Sequence, residues 1–403
     1  MGSAKISENI SLTSQGPAFF VVSRPSANHK RLARTKRREN WRYNLPCETQ
    51  LQDPERMRDL LHKSITILLL TLIGLLAVDA KSQVPQPLTL VQTIPLPGLK
   101  DGDFDHFAFD ARGQRLFLAA EENSAVVVIS LRTNKVVQTI RGPKAPHSFA
   151  FDADANKLYV VDDGGPNQVE IYDGTTYKLL GAIPMKAHAD ASIYDAANKL
   201  FYVGNGGKDD HEDFCFISVI DTTAGKKLAD IKVDGDRVEA MAIEKTGSRL
   251  FVNLYSKAAV GVIDRKKREV VATWSIAQEG RNNGPMAFDE ADHRLFVMAR
   301  DPGKVVVLDS DSGKIITGNL SVVGSYDEAI FDPAFRRLYL IGVPLLKIFQ
   351  KNEEGDRYDS LGQIPTAFHA ETAILVPKTN LLYVVISHHG TTDAMVQVYR
   401  VVP

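Results

Sequence analysis

The chain has 403 residues, 44% of them hydrophobic, and its 48 Lys and Arg nearly cancel its 49 Asp and Glu. That length allows a large buried core, and two cysteines exclude a disulfide scaffold. The near-zero net charge hides an uneven distribution, with a basic leader ahead of a modestly acidic remainder, which argues against nucleic-acid binding by the folded part.

Residues 1–56 carry the basic cluster Lys30, Arg31, Arg34 and Lys36 to Arg38 and show no periodic apolar pattern. They are predicted to be disordered, or to stem from an overlong start, because Met57, Arg58 and Lys63 begin a conventional signal-peptide n-region. The stretch 65–78 is almost purely apolar and ends in Val78-Asp79-Ala80. Its length suits a signal-peptide h-region and is short for a membrane span. Residues 57–80 are therefore predicted to be a signal peptide cleaved after Ala80, which sends the mature protein to the periplasm or outside the cell. The alternative makes residues 65–78 a membrane anchor, with the basic cluster held cytoplasmic. Cys47 lies in the leader and Cys215 alone follows it, so the mature chain forms no internal disulfide. No cysteine stands directly after the apolar stretch to carry a lipid.

From residue 87 to 403 the chain is a tandem repeat. A Leu-aromatic pair opens a short apolar strand at Leu116, Leu158, Leu200, Leu250, Leu295, Leu338 and Leu382, at spacings of 42 to 50 residues, close to the roughly 40–45 residues of a four-stranded propeller blade. Before each pair comes an apolar strand, which in six copies ends in an acid: Asp110, Asp152, Asp195, Glu244, Asp289 and Asp332. After it comes a third strand such as Val126 to Ile129, then a fourth such as Val136 to Ile140. These runs are short and β-branched, and helical spacing does not fit them. The last copy stops after its third strand, Val396 to Tyr399, while Leu90 to Ile94 at the front repeats the pattern of Val136 to Ile140. The fold predicted is all-β: a seven-bladed β-propeller whose N-terminal strand completes the last blade, leaving no gap in the ring.

The turn Asp152-Ala153-Asp154, the strand Lys157-Leu158-Tyr159-Val160-Val161 and the later Val169-Glu170-Ile171-Tyr172-Asp173 resemble the YVTN-repeat β-propellers, the exported YncE-like family. The likeness covers all seven blades, although the literal Tyr-Val-Thr-Asn string is absent and is replaced by Tyr159-Val160-Val161-Asp162 and Phe251-Val252-Asn253. It implies a binding or envelope-associated propeller. Quinoprotein amine dehydrogenase heavy chains and lactonases are more distant propeller relatives, and no catalytic motif of either carries over.

Seven of the ring's eight histidines, His106, His147, His188, His211, His369, His388 and His389, fall on one predicted face, and His293 falls on the other. Five residues before the repeated acid stand Asp105, His147, Asp190, Glu239, Gly284 and Asp327, with Glu371 at the matching place in the last blade. With His106, Glu328 and His369 they are predicted to surround one mouth of the channel. Carboxylates so close raise one another's pKa unless a cation compensates them, and mixed His and carboxylate donors suit a divalent cation. Polar residues also line propeller channels merely to meet water, so a solvated mouth is the plainer alternative. Candidate metal ligands are His147, Glu239 and Glu371, and also His211 and Asp213 in the long loop 205–213, which lacks the order of a calcium loop. No nucleophile elbow, His-Glu-x-x-His or phosphate loop is present. The expected function is ligand or partner binding at the mouth without catalysis, by a monomer whose partner is a small polar or cationic molecule or an envelope protein. The alternative is a metal-assisted hydrolase of lactonase type.

Overall fold

The computed structural model of the protein describes residues 86–403 apart from 101, 353–354 and 368, together with positions 55, 58, 59 and 62. The signal segment 57–80, save those positions, and Cys47 lie outside the described residues. Two compact units divide at Lys81 and Ser82, and the strands among the described residues belong to the second. Among the described residues no helix is long and apolar enough to cross a membrane.

Seven four-stranded antiparallel sheets form the blades of a propeller. The innermost strands are Phe107–Asp110, Pro146–Asp152, Ser192–Asp195, Val238–Ile243, Arg281–Asp289, Ser325–Asp332 and Ala373–Val376, which define blades 1 to 7 in that order. Blade 7 takes its outermost strand from Leu88–Pro95, paired antiparallel to Met395–Val401 with Leu90 opposite Tyr399 and Ile94 opposite Val396. Closure is therefore made by both ends of the ring, as the sequence predicts.

Seven hydrophobic clusters lie between neighbouring blades, including one between blades 7 and 1 that holds Ile94, Leu116, Val127, Tyr383 and Val396. Each central strand thus has a core on both of its faces, which is why it reads as a continuous apolar run rather than an alternating one. The Leu-aromatic pair follows from this. Leu116 enters the cluster shared with blade 7, and Phe117 enters the one shared with blade 2. Blade 3 corrects the sequence reading by one residue. Asp195 pairs opposite Leu200, as Asp152 does opposite Lys157, so the equivalent pair is Phe201 and Tyr202. They enter the clusters toward blades 2 and 4 respectively.

The repeated acids organise the hairpins after the innermost strands. Asp110 accepts from the Gly113 N–H at 2.9 Å, Asp152 from Asp154 and Ala155 at 3.0 and 3.1 Å, and Asp332 from Ala334 at 2.9 Å. The residue just before the second strand is left-handed at Gln114, Asn156, Lys199, His293, Arg336 and Asn380. His293, which the sequence reading sets apart from the other ring histidines, is thus a turn residue. Cys215 is buried in the core between blades 3 and 4, and burial pushes its thiol up to about 12, which disfavours the nucleophilic thiolate.

Candidate functional site

Because the innermost strands share one register, the residues five positions before each turn acid reach the same level at one end of the channel. Asp105, His147, Asp190, Glu239, Asp327 and Glu371 line a single cavity of 630 Å³ there, together with His106 and His188. Glu328 lines a narrower neck just below, of 190 Å³, where His106, Glu239 and Asp327 recur. His369 sits at the same mouth against Asp103 and lies 3.8 Å from Glu371. His211 and Asp213 are elsewhere, lining a separate concavity with Lys208 and Lys257. The loop they belong to is tied down by Lys186, which reaches Glu212 at 2.9 Å and Asp210 at 3.7 Å.

On one side of the mouth, imidazoles are wedged among carboxylates. His147 Nδ1 donates to Asp105 at 2.7 Å and lies 3.7 Å from Asp190, while its Nε2 lies 3.8 Å from Glu121. His106 Nε2 lies 3.4 Å from the other Asp105 oxygen, and its Nδ1 lies 3.5 Å from Glu328. That last contact joins blade 1 to blade 6, which are not neighbours, so it reaches across the channel.

Burial alone disfavours charge on both rings, but the carboxylates outweigh it. Asp105 and Glu328 push His106 up to about 10, and Asp105, Asp190 and Glu121 push His147 up to about 9. Asp105, although half-buried, is held below the usual carboxylate range by His106 and His147. Burial, with neighbouring carboxylates adding to it, pushes Glu121 and Glu371 up to about 7.

The opposite side is compensated by arginine. Arg300, on the second strand of blade 5 (Arg294–Asp301), lies 3.3 Å from Glu239 and bonds Asp327, while Arg237 pairs with Glu239. Blade 5 is the one blade with no side chain in the ring position, and the reason is steric. A Cβ on Gly284 would sit 2.8 Å from the guanidinium carbon of Arg300. Arg300 fills the space that Gly284 leaves, so Glu239 is an ion-pair partner and the chain itself supplies part of the positive charge that the acidic ring requires.

The ligand atoms that cluster within 4.8 Å are Asp105, Glu121 and His147; Asp105, His106 and Asp190; and Asp103, His369 and Glu371. Glu121, Asp103, Asp163 and Arg300 escape sequence reasoning. Glu121 comes from the 3-10 turn after the second strand of blade 1, and Asp103 from the loop before the first innermost strand. Only the glycine at position 284, breaking an otherwise polar column, signals that a side chain from another strand enters.

A ring of seven four-stranded sheets closed by both termini, with a polar, histidine-rich channel mouth, defines a seven-bladed β-propeller. The solved hydrazine synthase of Kuenenia stuttgartiensis has the same fold, at a TM-score of 0.57 and 17% identity over 76% of this chain and 98% of that one. Within this class the chain is a distant relative of YncE. It is 24% identical over 224 residues to the uncharacterized YncE proteins of Salmonella typhimurium and Salmonella typhi, which covers 51% of this chain and 60% of each relative. No family model matches the chain.

Proposed function

We propose that this chain is an exported, non-catalytic binding propeller that holds a cationic or polar ligand at the channel mouth. The carrying observation is the charge imbalance there. Eight carboxylates line the mouth cavity against two guanidinium groups and three imidazoles, so the site stays negative even with every imidazole protonated. A cation entering it gains attraction from groups that the fold already holds in place, in a concave and partly desolvated setting where such attraction is strong.

The test is thermal unfolding of the purified chain with Ca²⁺, Mn²⁺, Zn²⁺ and organic cations, alongside elemental analysis before and after chelation. A ligand present at a hundred times its dissociation constant stabilises the native state by about 2.7 kcal/mol. A melt unmoved by any cation overturns the reading.

The metal-assisted hydrolase is the second reading, favoured by one observation: Asp105, Glu121 and His147 bring their donor atoms within 4.8 Å of one another. In that reading these three would hold a cation, which would supply Lewis acidity toward a water and a carbonyl, and Glu371, in the same cavity and pushed up to about 7, would carry the proton. A stoichiometric metal that is lost in His147→Ala/Glu121→Ala, together with lactone hydrolysis that falls with it, favours this reading. Metal-free protein with no hydrolysis removes it.

A further inference from the structure

We infer that the ligand is an elongated amphipathic amine, with its ammonium group held by the acidic mouth and its apolar chain running down the channel. This deepens the binding reading above and rests on it. The channel changes character along its length. The mouth cavity shares His106, Glu239, Pro285 and Asp327 with the 190 Å³ neck, and the neck shares Met241 and Met286 with a third chamber of 650 Å³. The three spaces therefore follow one another along the innermost strands, each sharing wall residues with the next.

The third chamber is apolar. Ile193, Ile243, Phe288, Ile330 and Phe331 line it beside the two methionines, and its charged residues are Lys245, Asp289 and Glu290. The gradient is written in single strands. Blade 4 runs Glu239, Met241, Ile243 from mouth to chamber, and blade 6 runs Asp327, Ala329, Phe331. An inorganic cation uses the mouth alone and leaves the apolar chamber without a role. A molecule with a charged head and an apolar body uses both.

The mouth also favours a primary amine over a quaternary one. Quaternary ammonium groups are recognised by aromatic cages, and among the described residues Phe104 is the one Phe, Tyr or Trp lining the mouth. An –NH₃⁺ group instead offers three donors to carboxylate oxygens, which surround it here. The four residue steps from Asp327 to Phe331 cover about 13 Å at the usual strand rise, roughly the length of an eight- to ten-carbon chain.

The experiment is calorimetric titration of the full chain with butyl-, hexyl-, octyl- and decylammonium, with octanoate and octanol as controls for charge and for nonspecific apolar binding. Affinity is expected to rise about fourfold for each buried methylene, and octanoate and octanol are expected to bind at least tenfold more weakly than octylammonium. Met286→Thr and Met286→Asp are expected to flatten the chain-length dependence, while an unaltered far-UV circular dichroism spectrum and a cooperative urea transition show that the variants remain folded. Equal affinity for butyl- and decylammonium overturns this inference and leaves the mouth reading standing. Octanoate or octanol binding as tightly as octylammonium overturns it too. If no alkylammonium and no simple cation binds, the inference and the mouth reading fall together.

Discussion

The protonation of His147 makes stability depend on pH in a defined direction. Its folded value of about 9 lies above the ordinary 6.5, so the folded state keeps a proton that the unfolded state has released. Stability from this group is full below pH 6.5 and is lost as pH rises toward 9, with a slope of about 1.4 kcal/mol per pH unit and a total of about 3 kcal/mol. The His147 side chain is 15% exposed, so solvent screens it little. His106 acts in the same direction, but at 32% exposure screening reduces its share. Glu121 and Glu371, raised from 4.5 to about 7, also remove stability as pH rises, mostly below pH 7.5, and Cys215, raised from 9.0 to about 12, adds to the loss near pH 9, so the imidazoles dominate from 7.5 to 8.25 and the His147 variant separates their share above that. Urea unfolding followed by intrinsic fluorescence at pH 6, 7.5, 8.25 and 9 is the assay. The wild-type midpoint is expected to fall across the upper window, and His147→Gln is expected to remove about 1 kcal/mol per pH unit of that slope. A flat wild-type profile, or a His147→Gln profile parallel to wild type, refutes the assignment of a charged imidazole wedged between Asp105 and Glu121.

Gly284→Ala places a methyl group against Arg300 and is expected to cost about 1–3 kcal/mol, read as a lowered melting temperature, with Arg300→Met suppressing most of the added cost. Ile94→Ala removes a side chain that is 1% exposed in the core between blades 7 and 1 and is expected to cost about 2–4 kcal/mol; a neutral result in urea unfolding contradicts the closure of the ring by the N-terminal strand. Asp152→Ala takes away the acceptor for two backbone N–H groups and the Thr222 hydroxyl and is expected to cost about 1–3 kcal/mol. Because Asp152 titrates below its ordinary 3.8 in the folded state, that cost is expected at neutral pH and is expected to vanish as acid protonates the wild-type carboxyl.

The blade count, the strand order and the shared closure of blade 7 are local properties and are legible without coordinates. A blade packed on both faces makes its central strands uniformly apolar, and a hairpin that needs a carboxylate for its N–H groups repeats an acid at a fixed offset, so each copy announces itself. The same register places Asp105, His147, Asp190, Glu239, Asp327 and Glu371 at one level, which is why the polar column at the mouth can be read from alignment of the repeats alone. Blade 3 shows the limit of that reading. Leu200 opens the apolar run but faces the turn acid, and only the pleat, with its two-residue period, decides that Phe201 and Tyr202 fill the cores.

The curvature of the ring decided the rest. It brings Arg300 from a second strand into the place that Gly284 vacates, brings Glu121 and Asp103 in from loops that share no register, and sets His106 opposite Glu328 on a blade that is not its neighbour. None of these approaches has a fixed sequence offset, because each depends on how far seven twisted sheets turn before they close. The charges follow the same rule. An alignment shows five of the eight acids that line the mouth, but burial and the few ångströms between Asp105 and its two imidazoles determine which of them keep a proton.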